Sequence, residues 1–567
     1  MTTSRTASPT LCGPAPAAPW TSTAPSPESA STTRAAATTP SGTVSPDFAE
    51  VRRPLVQQSR LDGGIERPDR KVRPFPFNGC PTTPVCSAAV ETTAIIWAAL
   101  SAIESVWIVA ATIFVILQRR SAQATLAWIF ALAFLPVVGI VLYLFLGPRR
   151  YEKRKRRRAR AQAYVGALHV SDTDGKHPRS DQALHLMRLC ENAGGPAARP
   201  RTASGEVFLD GKSKYEALST AIAEAEHHIH CEYYIWEPDN IGTRLRDQLC
   251  ERARAGVEVR VLVDGFGSSK AHDRFWQSLR DCGGDVRRFN AFTLTNWRPR
   301  MANFRTHRKI VVVDGRVGFT GGMNVSDVHT SEFSGDDAWR DTHLRLEGPA
   351  VKGLQMVFFE DWFYATDASP DGPEYLRGTE DLPEGNREVQ VVASGPDENL
   401  DAIHKLFFSS IAGAHERVFL TTPYFVPDEP IFDALNTAAL RGADVKILVP
   451  AAGDVPLVAA AARTYYPELL NNGVRIFEYG PPVLHSKTLV VDDDLAIVGT
   501  ANTDNRSFRL NFEVVVANYD AEICDGLATA FDDDLECATE VTLEALQEAP
   551  FLRRFIASTA RLFSPVL

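Results

Sequence analysis

Two histidines stand in matching settings in this chain of 567 residues. The first opens His307-x-Lys309-x4-Asp314-x6-Gly321-Gly322-x-Asn324, and the second opens His485-x-Lys487-x4-Asp492-x6-Gly499-Thr500-x-Asn502. Residues i and i+2 of a strand face the same side, so each His is expected beside its Lys. An imidazole can attack or move a proton, and a neighbouring ammonium can hold negative charge, so each pair suits chemistry on an anion. Glycine just before each Asn lets a turn approach a bound group closely. One such match would pass for a chance surface pair. Two with the same downstream spacing do not.

The sequence around the motifs repeats as well. HHIHCEYYI leads to AGVEVRVLVDG, GGDVRRF and HRKIVVVDGRVGFTGGMN; later, ERVFLTTPYF leads to RGADVKILVP, NNGVRIFEY and HSKTLVVDDDLAIVGTAN. Apolar β-type runs alternate with helical patterns such as YEALSTAIAEA and PIFDALNTAAL, which indicates α/β units with buried strands. Two similar halves most simply make a pseudo-twofold pair, here expected at 205–385 and 386–567.

Two apolar stretches precede the repeat, Thr93–Leu117 and Ala122–Leu146. As helices each would run roughly 37 Å, enough to cross a hydrocarbon core of about 30 Å. Glu104 sits inside the first, a cost the surrounding Val, Ile, Leu and Trp can outweigh. Gln118-Arg119-Arg120-Ser121 is short enough for a tight hairpin. Nine basic residues and one acid lie between Arg149 and Arg160, at the start of a basic juxtamembrane linker expected over 147–204. Lys and Arg also crowd the approach to the first span, so both flanks are expected to be cytoplasmic. Residues 1–90 are rich in Ser, Thr, Pro and Ala and read as a disordered tail with no secretory h-region.

Formal net charge is −10, with 60 Lys+Arg against 70 Asp+Glu, which disfavours a general nucleic-acid binder. Nine scattered cysteines without CxxC read as free thiols rather than a disulfide framework or zinc site. His227, His228 and His230 have no Cys or acid beside them in sequence, so they do not read as a metal cluster. Asp264-Gly265-Phe266-Gly267 lacks GxGxxG or GKS/T, and no nucleotide site is expected. The runs Asp492–Asp494 and Asp532–Asp534 read as solvated turns.

The paired HxKxxxxD motifs resemble those of the phospholipase D superfamily. RRSAQATLAWIF, the block from Trp339 to Val351 (WRDTHLRLEGPAV) and the closing ARLFSPVL make the bacterial cardiolipin synthases the family that the chain from about residue 93 onward resembles. The resemblance implies two α/β/α sandwich domains of the phospholipase D type behind a transmembrane hairpin. It also implies a phosphatidyltransferase that exchanges one phosphodiester for another, needing neither cofactor nor metal. His307, Lys309, Asp314, His485, Lys487 and Asp492 are the implied catalytic set. Family precedent makes His307 the nucleophile and His485 the acid–base, a symmetry that the residues alone leave unbroken.

Asn324 and Asn502 would bind phosphate with the lysines, and Thr500 offers a hydroxyl where the first copy has Gly322. Glu513 occupies the position of the carboxylate that orients a histidine, and Asp341 is its counterpart in the first copy. Asp314 and Asp492, five residues past each Lys, are read as fastening turns. The implied partner is a phospholipid membrane, with phosphatidylglycerol as both donor and acceptor, at the cell membrane, and no nucleic acid. Hydrolysis, transfer to another alcohol, a nuclease and a silent scaffold are the competing readings. The stretch from Phe551 to Phe563 pairs an apolar helical stripe with Arg553, Arg554 and Arg561; it suits an interfacial helix or a helix packed on the core.

Overall fold

The computed structural model describes residues 84–118, 122–146, 180–291, 303–368, 375, 385, 387–397, 400–548 and 550–564. The expected tail up to residue 83 and the basic run from Arg149 to Arg160 lie outside them. Two compact units hold the described residues, one ending at Val141 and one beginning at Leu142.

In the first unit a helix spans Pro84–Ile116, starting inside the segment read as tail. Its stretch Thr92–Ile116 is long and apolar enough to cross a membrane, and Glu104 is exposed on it. The second apolar stretch is not one helix. It divides into Ala122–Phe134 and Pro136–Leu146, each too short to count as a span by the same measure. Pro136 has no N–H to give Leu132, four residues back, and its ring crowds that turn. The Trp107 indole of the first helix takes the proline's place, donating to the Leu132 carbonyl at 3.1 Å. At Gly139 an added Cβ would meet the Ala131 oxygen at 2.3 Å, so the bend needs a glycine there.

The second unit is built on one fifteen-stranded sheet. In the first half Asp285–Phe289, Glu258–Asp264 and His228–Tyr233 run parallel. Lys309–Val313, Val317–Gly321, His343–Glu347 and Arg201–Phe208 then follow antiparallel. The second half repeats that order with Arg475–Tyr479, Asp444–Pro450, Arg417–Thr421, Thr488–Val491, Leu495–Gly499, Glu513–Asn518 and Arg387–Ser394. The halves join where Arg201–Ala203 pairs antiparallel with Arg387–Val389.

Strand alternation assigns the cores. Val311 and Val313 pack with helices Gly211–Glu224 and Asn240–Arg254. Ile310 and Val312 face helix Val351–Thr366 on the other side of the sheet. Likewise Leu489 and Val491 enter one core and Val490 the other. The sheet is thus sandwiched between helices, as expected for the α/β/α class.

Several local expectations need correction. Residues 181–194, read as linker, form a helix capped by Ser180 and packed through Leu186 and Cys190 into the core of the second half. Strand Arg201–Phe208 likewise begins before the expected boundary at 205. Cys250 and Cys282, read as free thiols, are joined as a disulfide with Cα atoms 5.5 Å apart. They close the ends of two neighbouring helices, a pairing made by packing rather than by sequence spacing. Asp532–Asp534 lies in helix Ala521–Leu535 rather than in a turn, and Asp534 bonds Arg340 at 2.9 Å.

Candidate active site

Each catalytic-type histidine sits just before a strand that its own half supplies, but its setting is completed by the other half. Backbone bonds cross between copies: His307 N–H donates to Phe512 O at 2.9 Å, and Phe512 N–H donates to Arg305 O at 2.9 Å. The mirror set runs from His485 N–H to Arg340 O at 2.7 Å and from Arg340 N–H to Val483 O at 2.9 Å. The carboxylates are exchanged in consequence. His307 Nδ1 lies 3.0 Å from Glu513 Oε2, and His485 Nδ1 lies 2.6 Å from Asp341 Oδ2. Reading each acid as the partner of its own copy's histidine would therefore pair them wrongly. With Nδ1 engaged, Nε2 is the ring nitrogen left for chemistry.

The lysines flank the rings. Lys309 Nζ donates to His307 O at 2.7 Å; Lys487 Nζ donates to His485 O and lies 3.1 Å from His485 Nδ1. All four side chains are buried, as are Asn324 and Asn502. Burial, with the other lysine's charge added to it, lowers Lys309 to about 7; burial lowers Lys487 to about 8, against the pull of Asp341 and Glu513. His307 is brought to about 4, chiefly by burial and then by both lysines, with Glu513 opposing. His485 is lowered by burial and Lys487, again against its carboxylate. Burial alone would raise Asp341, but His485 and Lys487 more than offset it and hold it ionised; Glu513 is held down in the same way by His307 and Lys309. At neutral pH the site holds two ionised carboxylates, at least one neutral imidazole and two lysines whose N–H groups can donate to an anion.

The carboxylates differ in their support. Glu513 accepts from Thr500 Oγ1 at 2.5 Å and from Asn511 Nδ2 at 3.1 Å. Asp341 accepts from Thr342 N–H at 2.7 Å, and Gly322 stands where the second copy has Thr500. A Cβ at Gly322 would lie 2.0 Å from Asp341 Oδ1, so the shorter acid requires glycine opposite it. The hydroxyl of Thr500, expected near phosphate, is spent on Glu513.

Asp314 and Asp492 stand at the far ends of the hairpins, with φ of 53° and 49°. Asp314 accepts from the N–H groups of Glu226, His227 and His228, each at 2.8 Å. Asp492 accepts from those of His415, Glu416 and Arg417 at 2.8–2.9 Å. Both carboxylates are occupied by backbone, so they hold strands in register instead of touching a reacting group.

Three buried ionisable residues around the site escape sequence reading. Arg308, between His and Lys, donates to Glu513 O at 3.0 Å and pairs with Asp361; at the equivalent position Ser486 bonds Thr342 Oγ1 at 2.6 Å. His329 lies five residues past Asn324, and its Nε2 accepts from Asn324 N–H at 3.2 Å; Ser507, five past Asn502, does the same at 3.1 Å. That shared offset is a signal the repeat did contain. His329 Nδ1 also lies 3.7 Å from Asp341. Lys214, wholly buried and brought by burial to about 7, bonds Tyr233 OH at 3.3 Å, with Asp341 pulling the other way. His329, Asp341 and His485 form the trio of donors close enough to share a cation among the described residues. A dication there would sit against the Lys487 ammonium. His230 does meet an acid in space, Glu258 at 3.5 Å, but Gln355 at 2.9–3.2 Å links it to His228.

The geometry agrees with the comparisons. A family model described as cardiolipin synthase, phospholipase D-like domain, matches residues 218–335 and again 407–535. A second, described as phospholipase D-nuclease N-terminal, matches 106–148, and with the apolar helix it marks a membrane protein. Cardiolipin synthase of Alkalihalophilus pseudofirmus is 39% identical over 480 residues, covering 82% of this chain and 94% of that one. Cardiolipin synthase 1 of Bacillus anthracis is 36% identical over 475 residues, covering 82% and 93%. The crystal structure of phosphatidylserine synthase from Haemophilus influenzae shares the fold, with 15% identity, 68% of this chain and 100% of that one covered, and a TM-score of 0.52. The twin motif, its crossed carboxylates and relatives that align along most of their length place the chain in the cardiolipin synthase family of the phospholipase D superfamily.

Proposed function

We propose that the chain transfers a phosphatidyl group between two phosphatidylglycerol molecules, giving cardiolipin and glycerol. The observation that carries this is the pair of histidines, each held through Nδ1 by a buried carboxylate and flanked by a buried lysine. His307, neutral above about pH 4, attacks phosphorus through Nε2, and the bond to the glycerol oxygen breaks as His485 gives that oxygen a proton. A phosphatidyl-histidine results. His485, now neutral, takes the proton from the terminal hydroxyl of a second phosphatidylglycerol, whose oxygen displaces His307. One phosphodiester replaces another, so no energy source enters.

His485 must be protonated at the first step. Asp341 at 2.6 Å favours that form and Lys487 opposes it. An incoming phosphodiester neutralises the lysine field and so raises the proton affinity of His485 when it is needed. Lys309, Lys487, Asn324 and Asn502 supply donors where charge grows in the transition state. Asp341 and Glu513 orient the rings, and Asp314 and Asp492 position the hairpins. Two apolar segments hold the enzyme in the cell membrane with both flanks on the cytoplasmic side, following the excess of Lys and Arg outside the short loop. Purified protein supplied with phosphatidylglycerol alone is expected to make cardiolipin and glycerol in equal amounts. Phosphatidic acid as the sole lipid product would make it a hydrolase, and no product would overturn the reading.

A further inference from the structure

The last described helix, Phe551–Arg561, is built the opposite way round from a helix on a soluble surface. Its small residues face the protein: Ala560 is buried and Ala557 half-buried. Large apolar side chains face out. Phe551, Leu552, Phe555, Ile556, Leu562 and Phe563 are all exposed, Leu562 to 78%, and the rings of Phe551 and Phe555 stack 6.2 Å apart on the outside. Ordinary amphipathic helices bury that class of residue. A contiguous apolar surface of this kind marks a contact with something else.

Charge selects the partner. From Phe551 to Leu567 there are three arginines and no acid, in a chain of net charge −10. An open groove of about 740 Å³ beside the helix is lined by Arg463, Arg553, Arg554 and Arg561 and by Glu478 and Glu540, the latter paired with Arg475 at 2.8 Å. Arg463 is already paired with Glu478 at 2.9 Å, and Arg561 lies 4.6 Å over the Tyr465 ring. Among the described residues Arg553 and Arg554 have no acidic partner. A second copy meeting this face about a twofold axis would bring the same arginines against each other. An anionic bilayer offers acyl chains to the apolar face and phosphates to the arginines.

We propose that Phe551–Phe563 docks on an anionic bilayer surface, with the six apolar side chains at the acyl boundary and Arg553 and Arg554 on lipid phosphates. The helix is fastened to the catalytic half. Tyr465 OH bonds Ser564 Oγ at 3.2 Å, and Asn505 Nδ2, three residues past Asn502, donates to Ser564 O at 3.1 Å. Docking therefore holds the asparagine loop at the membrane. The proposal goes beyond phosphatidyl transfer and does not depend on it.

The test uses the full chain carrying His307→Ala, so that it reads contact and not turnover. Benzoylphenylalanine replaces Phe555, and the chain is reconstituted in phosphatidylcholine bilayers with or without phosphatidylglycerol and then irradiated. Phospholipid adducts are expected, several-fold more abundant with phosphatidylglycerol, and Arg553→Glu with Arg554→Glu should abolish the difference. The same probe at Leu562 repeats the reading where no packing is disturbed. Adducts to a second protein chain, absence of lipid adducts, or equal yields in the two bilayers would overturn the proposal.

Discussion

Asp341→Asn separates the two histidines by what each must do. Asp341 lies 2.6 Å from His485 Nδ1, and its charge sustains an imidazolium there against Lys487 at 3.1 Å. At an effective dielectric of about 20, unit charges roughly 3 Å apart attract by about 5 kcal/mol. The amide retains a neutral hydrogen bond of about 1 kcal/mol, so the imidazolium loses about 4 kcal/mol. That is roughly 1,000-fold in any step that needs His485 to carry a proton. Single-turnover release of the headgroup is the assay. With phosphatidylglycerol, whose leaving oxygen must be protonated, release should fall roughly 1,000-fold. With the p-nitrophenyl ester of phosphatidic acid, whose leaving group departs as an anion, it should recover to within about tenfold of the unaltered chain. Glu513→Gln takes the partner from His307 instead and should be slow on both esters. Equal loss on both esters for Asp341→Asn, or almost none on phosphatidylglycerol, would refute the assignment of His485 as the acid.

With Lys309 brought to about 7 and Lys487 to about 8, both ammonium charges are present at acidic pH and are lost as pH rises through those values. The ratio kcat/KM reports the free enzyme, so it should fall on the alkaline side; a ratio still climbing well above pH 8 would contradict the lysine clamp. Asp314→Ala removes the acceptor of three backbone N–H groups and puts alanine at a positive φ. Thermal or denaturant unfolding should register a loss of about 2–3 kcal/mol, with Asp314→Asn losing less. Trp107→Phe leaves the Leu132 carbonyl without its donor in an apolar setting. Unfolding in mixed detergent should show about 1–2 kcal/mol lost, and no change would mean that the proline gap is filled some other way.

The strands and the two halves were readable because strands covered by helices on both faces need unbroken apolar runs, and those runs come twice. KIVVV and TLVV announce themselves. The crossing of partners was not readable: which half supplies a carboxylate depends on bonds such as His307 N–H to Phe512 O, made between segments 205 residues apart. Asp534 looked solvated because its ion-pair partner Arg340 is equally remote. The second apolar segment could have been read better. Pro136 stands in plain view, and a proline inside a helix opens a gap wherever it falls.

The pairs Gly322–Asp341 and Thr500–Glu513 also bear on descent. Threonine at 322 would strike Asp341, and aspartate at 513, shorter by one methylene or about 1.5 Å, would withdraw from the Thr500 hydroxyl that Glu513 now accepts. Neither exchange is neutral alone, so these parts must be traded two at a time. Point substitutions that converted one repeat into the other a residue at a time would pass through a damaged intermediate. Twins that share one task are in this way kept from becoming identical again.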